Sequence, residues 1–336
     1  MKHIDSFLSV LKRNSLAKSI VKKITPVRVR RSLYEYLNGG QMVRLYFENN
    51  IAHISFKSKN VQTLQGLMPV FYWDGNPNLG DLLNFGDVVG PYLISKITGK
   101  PVLNIKNLQY PGIMAVGSII EQLDRKDMVI WGSGLMDNMT DDQIRSFKKY
   151  SPEILSVRGR ETAKQLLEAG INVPDQSVYG DPALILPLFY NPSIRGLKKI
   201  GICPHFTHKS HFLENITDKD NLKIIDVQKD METVVDSISS SAVCISTSLH
   251  GLIIAQAYNV PWVWLEVFDN NLKGNDFKFK DFFSTIDESK VSHVRATMEE
   301  VKNLDFKIIA EKATLPDKLY NQDLILKSLK TYLSRE

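Results

Sequence analysis

Between Asp236 and Glu266 the chain runs through 29 residues, 237–265, without one formal charge. That is long enough to cross a bilayer. Its polar residues, however, come in clusters: Ser239, Ser240 and Ser241, then Ser246, Thr247 and Ser248, then Gln256 with Asn259 and Pro261. The clusters divide the run into three short apolar elements, AVCIS (242–246), a helix over 249–258 and WVWLEV (262–267), which together read as a buried β-α-β unit. Parallel strands buried on both faces need neighbouring strands and covering helices. The rest of the chain is therefore expected to be α/β.

The remaining pattern agrees. MPVFYW (68–73) ends in the turn-rich DGNPNLGD and is followed by a helical pattern over 82–97. Further strands are predicted at 113–118, 128–134 and 154–158, with helices at 141–150 and 161–169. Pro182, Pro187, Pro192 and Gly196 then break the alternation and predict a linker near 188–197. A second series follows: KKIGIC (198–203), LKIIDV (222–227), a helix over 231–240 and the uncharged run. The expected fold is two doubly wound, Rossmann-like domains with a central cleft between the carboxyl ends of their strands. The expected boundaries are a basic N-terminal extension over 1–66, an N-terminal domain over 67–190, a C-terminal domain over 191–305 and a closing helical tail over 306–336.

Charge is unevenly placed. Residues 1–60 hold twelve Lys and Arg against three acids, although the whole chain has a formal charge of only +5. Ile4, Phe7, Leu8, Leu11, Ile20, Val21 and Ile24 fall near helical spacing among these basic residues. Such a segment either lies on an anionic membrane surface or docks as a solvated basic helix on the protein's own core. No basic run interleaved with aromatics points to nucleic acid. Two cysteines, Cys203 and Cys244, cannot build a disulfide framework or a four-thiolate metal site. The first residues lack the apolar core of a secretory signal, so a cytoplasmic setting is expected.

Four segments could carry chemistry. In the uncharged run, a strand feeds Ser246, Thr247 and Ser248 into a helix whose first turn holds His250 and Gly251. Hydroxyls and free N–H groups at a positive helix end suit a phosphate or carboxylate, or they simply cap the helix. In GNPNLGDLLNFGD (75–87), Asn78, Gly80, Asp81 and Asn84 offer a tight turn and polar side chains to a sugar or phosphate, or else an ordinary Asx turn with Asp81 as helix cap. Arg158 ends a predicted strand facing the cleft, where its fork could hold an anion or join a surface ion pair. His205, His208 and His211 are spaced by three, but Pro204 places them in a loop and Glu214 is the nearest carboxylate. No metal is expected there or at Asp218-Lys219-Asp220.

Taken in order, these segments resemble the polysaccharide pyruvyltransferase family. The resemblance rests on Asn78-Leu79-Gly80-Asp81 with Asn84, Gly117-Ser118-Ile119, Trp131-Gly132-Ser133-Gly134, Ser156-Val157-Arg158, Gly180-Asp181-Pro182-Ala183, Gly201-Ile202 to Pro204-His205, and Ser248-Leu249-His250-Gly251-Leu252. It implies a glycosyltransferase B-like fold and a transferase of polysaccharide biosynthesis. The donor would be phosphoenolpyruvate, with no further cofactor. The acceptor would be a sugar diol of a lipid-linked or oligosaccharide precursor, which becomes a cyclic pyruvate ketal. His250 would be the acid, Asp81 the base, and Arg158 with Thr247 and Ser248 the anion clamp. Asn78, Gly80, Asn84, Gly117, Ser118, Gly132, His205 and Gly251 would line the substrate. Several family members carry Arg where this chain has Ser248, which shifts weight onto Arg158. A lipid-linked acceptor would place the enzyme at the inner face of the cell membrane. The alternatives are a sugar-nucleotide-dependent glycosyltransferase of the same fold and a non-catalytic glycan-binding or assembly protein.

Overall fold

Alternate residues of each central strand pack into different apolar clusters. Val70, Ile113 and Trp131 join one cluster, and their chain neighbours Phe71, Met114 and Ile130 join another. Cys203, Cys244 and Trp262 likewise separate from Ile202, Ile245 and Val263. Both sheets are thus covered on both faces, as near-continuous apolar strands require. In the computed structural model the described residues are 42–48, 51–56, 67–74, 84–106, 108–192, 199–218, 220–270, 272 and 274–335. The basic segment over 1–24, together with Asn78, Gly80 and Asp81, lies outside them.

The first sheet contains β1 (Met42–Glu48), β2 (Ile51–Phe56), β3 (Met68–Phe71), β4 (Val102–Asn104), β5 (Ile113–Met114), β6 (Val129–Trp131) and β7 (Glu153–Ser156). Its order is β1-β2-β4-β3-β5-β6-β7. The antiparallel β1–β2 pair adds to the edge of five parallel strands, so part of the sequence assigned to the extension belongs to this sheet. The second sheet, ordered β12-β11-β10-β8-β9, is wholly parallel. It contains β8 (Ile200–Cys203), β9 (Leu222–Ile224), β10 (Val243–Ser246), β11 (Trp262–Val267) and β12 (His293–Ala296).

Counted within each sheet, the five parallel strands follow the same order, with the second strand outside the first and the third on the first strand's other side. The direction in which successive strands are added reverses between β3 and β5 and again between β8 and β10. Crevices that take ligands open at the carboxyl ends of such pairs.

The helices are α1 (Phe85–Thr98), α2 (Asp141–Tyr150), α3 (Arg160–Glu168), α4 (Lys209–Asn215), α5 (Met231–Ser239), α6 (Leu249–Ala257), α7 (Asn275–Phe283), α8 (Phe306–Glu311) and α9 (Gln322–Leu333). α1 begins at Asn84, whose side chain accepts from the Gly86 N–H; Asn84 is therefore the helix cap, the role expected for Asp81. The observed strands are shorter than predicted because their last residues leave the ladder. Gly117 and Gly132 both take positive φ there, at 109° and 71°.

Several contacts join the two sheets. The Phe85 N–H donates to the Val227 carbonyl at 2.9 Å. Helix α9 returns to the first sheet, where Trp131 Nε1 donates to the Ile325 carbonyl at 3.0 Å. The expected tail thus divides: Phe306 and Ile309 of α8 pack with the second sheet, Ile325 and Leu329 of α9 with the central core.

Candidate active site

Arg158, at the carboxyl end of β7, is fully buried. Its Nε pairs with Asp281 Oδ2 at 2.8 Å, Nη1 donates to Ser118 Oγ, and Nη2 donates to the Leu135 carbonyl at 2.6 Å. The expected two-point anion clamp is therefore committed to protein partners, since each guanidinium nitrogen already has an acceptor. Asp281 lies on α7 and also receives the Thr162 N–H at 2.8 Å and the Thr162 hydroxyl at 2.7 Å. It thereby supplies the cap that Gly159 cannot give α3. A Cβ at Gly159 would stand 1.8 Å from the Asp281 carbonyl, so only glycine permits this approach.

The turn from β10 into α6 is tied internally. Ser246 Oγ donates to the Cys203 carbonyl at 2.8 Å and accepts the Ser248 N–H at 3.0 Å. Thr247 Oγ1 accepts from the His205 N–H at 2.8 Å and donates to His208 Nδ1 at 3.0 Å, while His208 Nε2 donates to the Asn270 carbonyl at 3.0 Å. These partners fix the His208 tautomer and lock β8 to β10 at the crevice. Thr247 is accordingly part of the frame. The Ser248 side chain makes no capping hydrogen bond, so the first N–H groups of α6 have no side-chain cap.

At two other expected substrate residues a side chain would not fit. A Cβ at Gly132 would stand 2.3 Å from Pro182 Cδ, and one at Gly251 would stand 2.3 Å from Ser246 Oγ. Gly117 offers its carbonyl to the Ser133 hydroxyl at 2.7 Å and the Gly134 N–H at 3.0 Å. Among the described residues no three His, Cys, Asp or Glu side chains are grouped to hold a metal.

His250, in the first turn of α6, has its Nε2 buried without a partner, 3.9 Å from Asp181 Oδ2, which is also buried and unpartnered. Burial, reinforced by the positive charges of Arg158 and Lys278, lowers the His250 pKa to about 3. Burial is the largest of these causes. His205 is likewise lowered to about 3, by burial and then by Lys278, His208 and His250.

Lys278, on α7, was missed by motif reading. It is only 7% exposed and, among the described residues, has no carboxylate partner; it lies 5.8 Å from the Phe279 ring centroid. Burial, then Arg158, lowers its pKa to about 8. Asp181 was quoted only as part of a motif. Burial raises it to about 6 against the opposing Ala183 N–H and Arg158. The available signal for α7 was the i, i+3, i+4 spacing of Phe279, Phe282 and Phe283, which marks a buried face beside Lys278 and Asp281.

These ionisations predict an acid-labile fold. The unfolded chain protonates His205, His208 and His250 near their ordinary pKa, whereas the folded chain holds all three lower. Their stabilisation is complete above about pH 6.5 and is lost as pH falls towards their folded values, by at most about 1.4 kcal/mol per pH unit for each. Asp181, raised in the fold, opposes this between about pH 6 and 4. Urea midpoints should therefore fall from pH 6.5 to 4.5, and His250→Gln should flatten the profile.

A family model described as polysaccharide pyruvyl transferase matches residues 102–270. An uncharacterized protein of Acanthamoeba polyphaga mimivirus is 29% identical over 210 residues, covering 60% of this chain and 70% of that one. The succinoglycan biosynthesis protein ExoV of Rhizobium meliloti (strain 1021) is 29% identical over 160 residues, covering 46% of this chain and 45% of ExoV. A crystal structure of a functionally uncharacterized protein from Klebsiella pneumoniae subsp. pneumoniae NTUH-K2044 aligns with a TM-score of 0.40 at 14% identity, over 69% of this chain and 94% of that one.

Proposed function

The chain belongs to the polysaccharide pyruvyl transferase family, and on that premise we propose that it transfers the pyruvyl group of phosphoenolpyruvate to two hydroxyls of a glycan acceptor, closing a cyclic ketal. The observation that carries the donor assignment is Lys278, a buried cation without a carboxylate partner among the described residues, close enough to His205 and His250 to depress both. The α6 N-terminus, which also carries His250, has no side-chain cap. An unpaired buried cation costs stability unless an anion arrives. A carboxylate or phosphate is such an anion, and phosphoenolpyruvate carries both.

His250 is the acid in this reading. In the free protein its ring is neutral at pH 7. A bound dianion beside Lys278 and Arg158 reverses the local field and favours the charged ring. The ring then protonates the donor's methylene carbon as the first sugar hydroxyl attacks the neighbouring carbon. Phosphate leaves and the second hydroxyl closes the ketal. Of the two hydroxyl protons, one restores the ring and the other departs with phosphate. Asp81 remains the proposed base, and the two sheets are read as a glycosyltransferase B-like pair around the cleft. The basic residues 1–60 are proposed to bring the enzyme to a lipid-linked acceptor on the cytoplasmic face of a membrane.

The test incubates the full chain with phosphoenolpyruvate and a glycan acceptor. The expected product is heavier by one pyruvate less one water, with one phosphate released per ketal. A product formed only from a nucleotide sugar would overturn the reading.

Gly86 gives a second test. A Cβ there would stand 2.3 Å from His250 Nδ1. Gly86→Ala should displace the ring and lower kcat by about 10²-fold, since a shift of about 1 Å is enough to do so. Unchanged far-UV circular dichroism with that loss would locate the damage at the site. Near-normal turnover would remove His250 from the chemistry.

A further inference from the structure

Asp181 is fully buried, yet among the described residues half of its carboxylate has no partner. Oδ1 accepts the Ala183 N–H at 2.9 Å and so caps the short helix Pro182–Leu188. Oδ2 is orphaned and faces the orphaned Nε2 of His250 at 3.9 Å. Two unsatisfied buried polar atoms facing each other are costly unless they meet in some state of the protein. The other ring nitrogen, Nδ1, lies on the Gly86 side, against the first turn of α1. The ring therefore has the Asp181 carboxylate facing Nε2 and the first turn of α1 beside Nδ1, and the side chain keeps 12% exposure although Nε2 is buried.

Building on the assignment of His250 as acid, we propose that Asp181 is the positioning residue for that histidine: Oδ2 accepts from Nε2–H, which leaves Nδ1 as the nitrogen that delivers the proton. The gap of 3.9 Å is longer than a hydrogen bond. Such contacts commonly tighten when the site fills. The charged groups around the pair are Arg158 and Lys278, which disfavour a cationic ring, and Asp281, which disfavours an ionised Asp181. An arriving anion offsets the two cations. The ring can then hold two protons, with the Nε2 proton on Asp181 and the Nδ1 proton on the donor carbon. After transfer, Nε2–H stays on Asp181 and the ring is left neutral in one defined tautomer.

Asp181→Asn discriminates sharply. The amide oxygen is required by the Ala183 N–H, so the NH2 group faces Nε2, and a donor there imposes the Nδ1–H tautomer. In the full chain with ¹⁵N-labelled histidine, long-range NMR correlations should show His250 as Nε2–H in the wild type at pH 7.5 and mainly as Nδ1–H in the variant. kcat should fall about 10²-fold or more, while KM for phosphoenolpyruvate moves less than about threefold. An Nδ1–H wild type, or an unchanged tautomer in the variant, overturns the pairing. Should the Asn variant not fold, the wild type still decides: its His250 nitrogen shifts must follow the titration of the Asp181 carboxyl, and a ring insensitive to it refutes the proposal. The tautomer measurement needs no donor. A correct tautomer with no consumption of phosphoenolpyruvate would therefore leave the pairing standing and remove the donor assignment.

Discussion

Lys278→Met should raise the melting temperature by several degrees and lower kcat/KM for phosphoenolpyruvate by about 10²-fold or more. Both effects come from one fact: the lysine is buried as a cation without a carboxylate partner, and its pKa is depressed to about 8. At pH 7 the depression from 10.5 corresponds to about 3 kcal/mol of cost to the folded state, which methionine avoids at similar length. The folded chain loses the Lys278 proton before the unfolded chain does, so wild-type stability recovers as pH rises from about 8 through 10.5, and the variant's advantage should shrink over that window. Saturating phosphoenolpyruvate should stabilise the wild type by about 2.7 kcal/mol at a hundred times Kd and the variant far less. Equal stabilisation of both proteins by the donor would exclude Lys278 from its binding.

Asp281→Ala should cost about 3–5 kcal/mol of folding stability, because it leaves Arg158 charged, buried and without its carboxylate. It also removes both acceptors of Thr162 and with them the cap of α3. The pair joins the two sheets, so the variant should lose cooperativity between them, read as separated transitions by fluorescence and circular dichroism. Replacing both partners by apolar residues, Arg158→Met with Asp281→Leu, should restore most of the lost stability, since breaking a buried pair costs more than deleting it. Arg158→Lys should resemble the single loss, because an ammonium cannot reach Asp281, Ser118 and the Leu135 carbonyl together. A loss below about 1 kcal/mol for Asp281→Ala would mean that the pair is solvated.

Much of the fold was legible because periodicity is local. WVWLEV, the strand β11 (Trp262–Val267), was read at its observed limits, as was α2 (Asp141–Tyr150) with its Thr140–Gln143 capping box. The ordered motifs also led to the family. β4, β12 and the β1–β2 pair were not read: the first two are only three and four residues long, and β12 and the β1–β2 pair lie outside the alternating runs on which the reading relied. α4 falls where Pro204 had suggested a loop.

The sequence by itself determined two alternating α/β series, a charge-free β-α-β unit and a histidine in the first turn of its helix, because each depends on residues near one another in the chain. Only the tertiary structure decided what those residues do. Arg158 ends a strand in the manner of an anion clamp, yet a residue 123 positions away occupies it. Lys278 belongs to no motif and yet stands unpaired beside His205 and His250. Asp181 reads as part of a Gly-Asp-Pro turn, but its second oxygen faces a ring from the other sheet. Burial and the presence or absence of a partner set the ionisation of Lys278 and Asp181. Both are properties of contacts across the two sheets, which spacing along the chain does not encode.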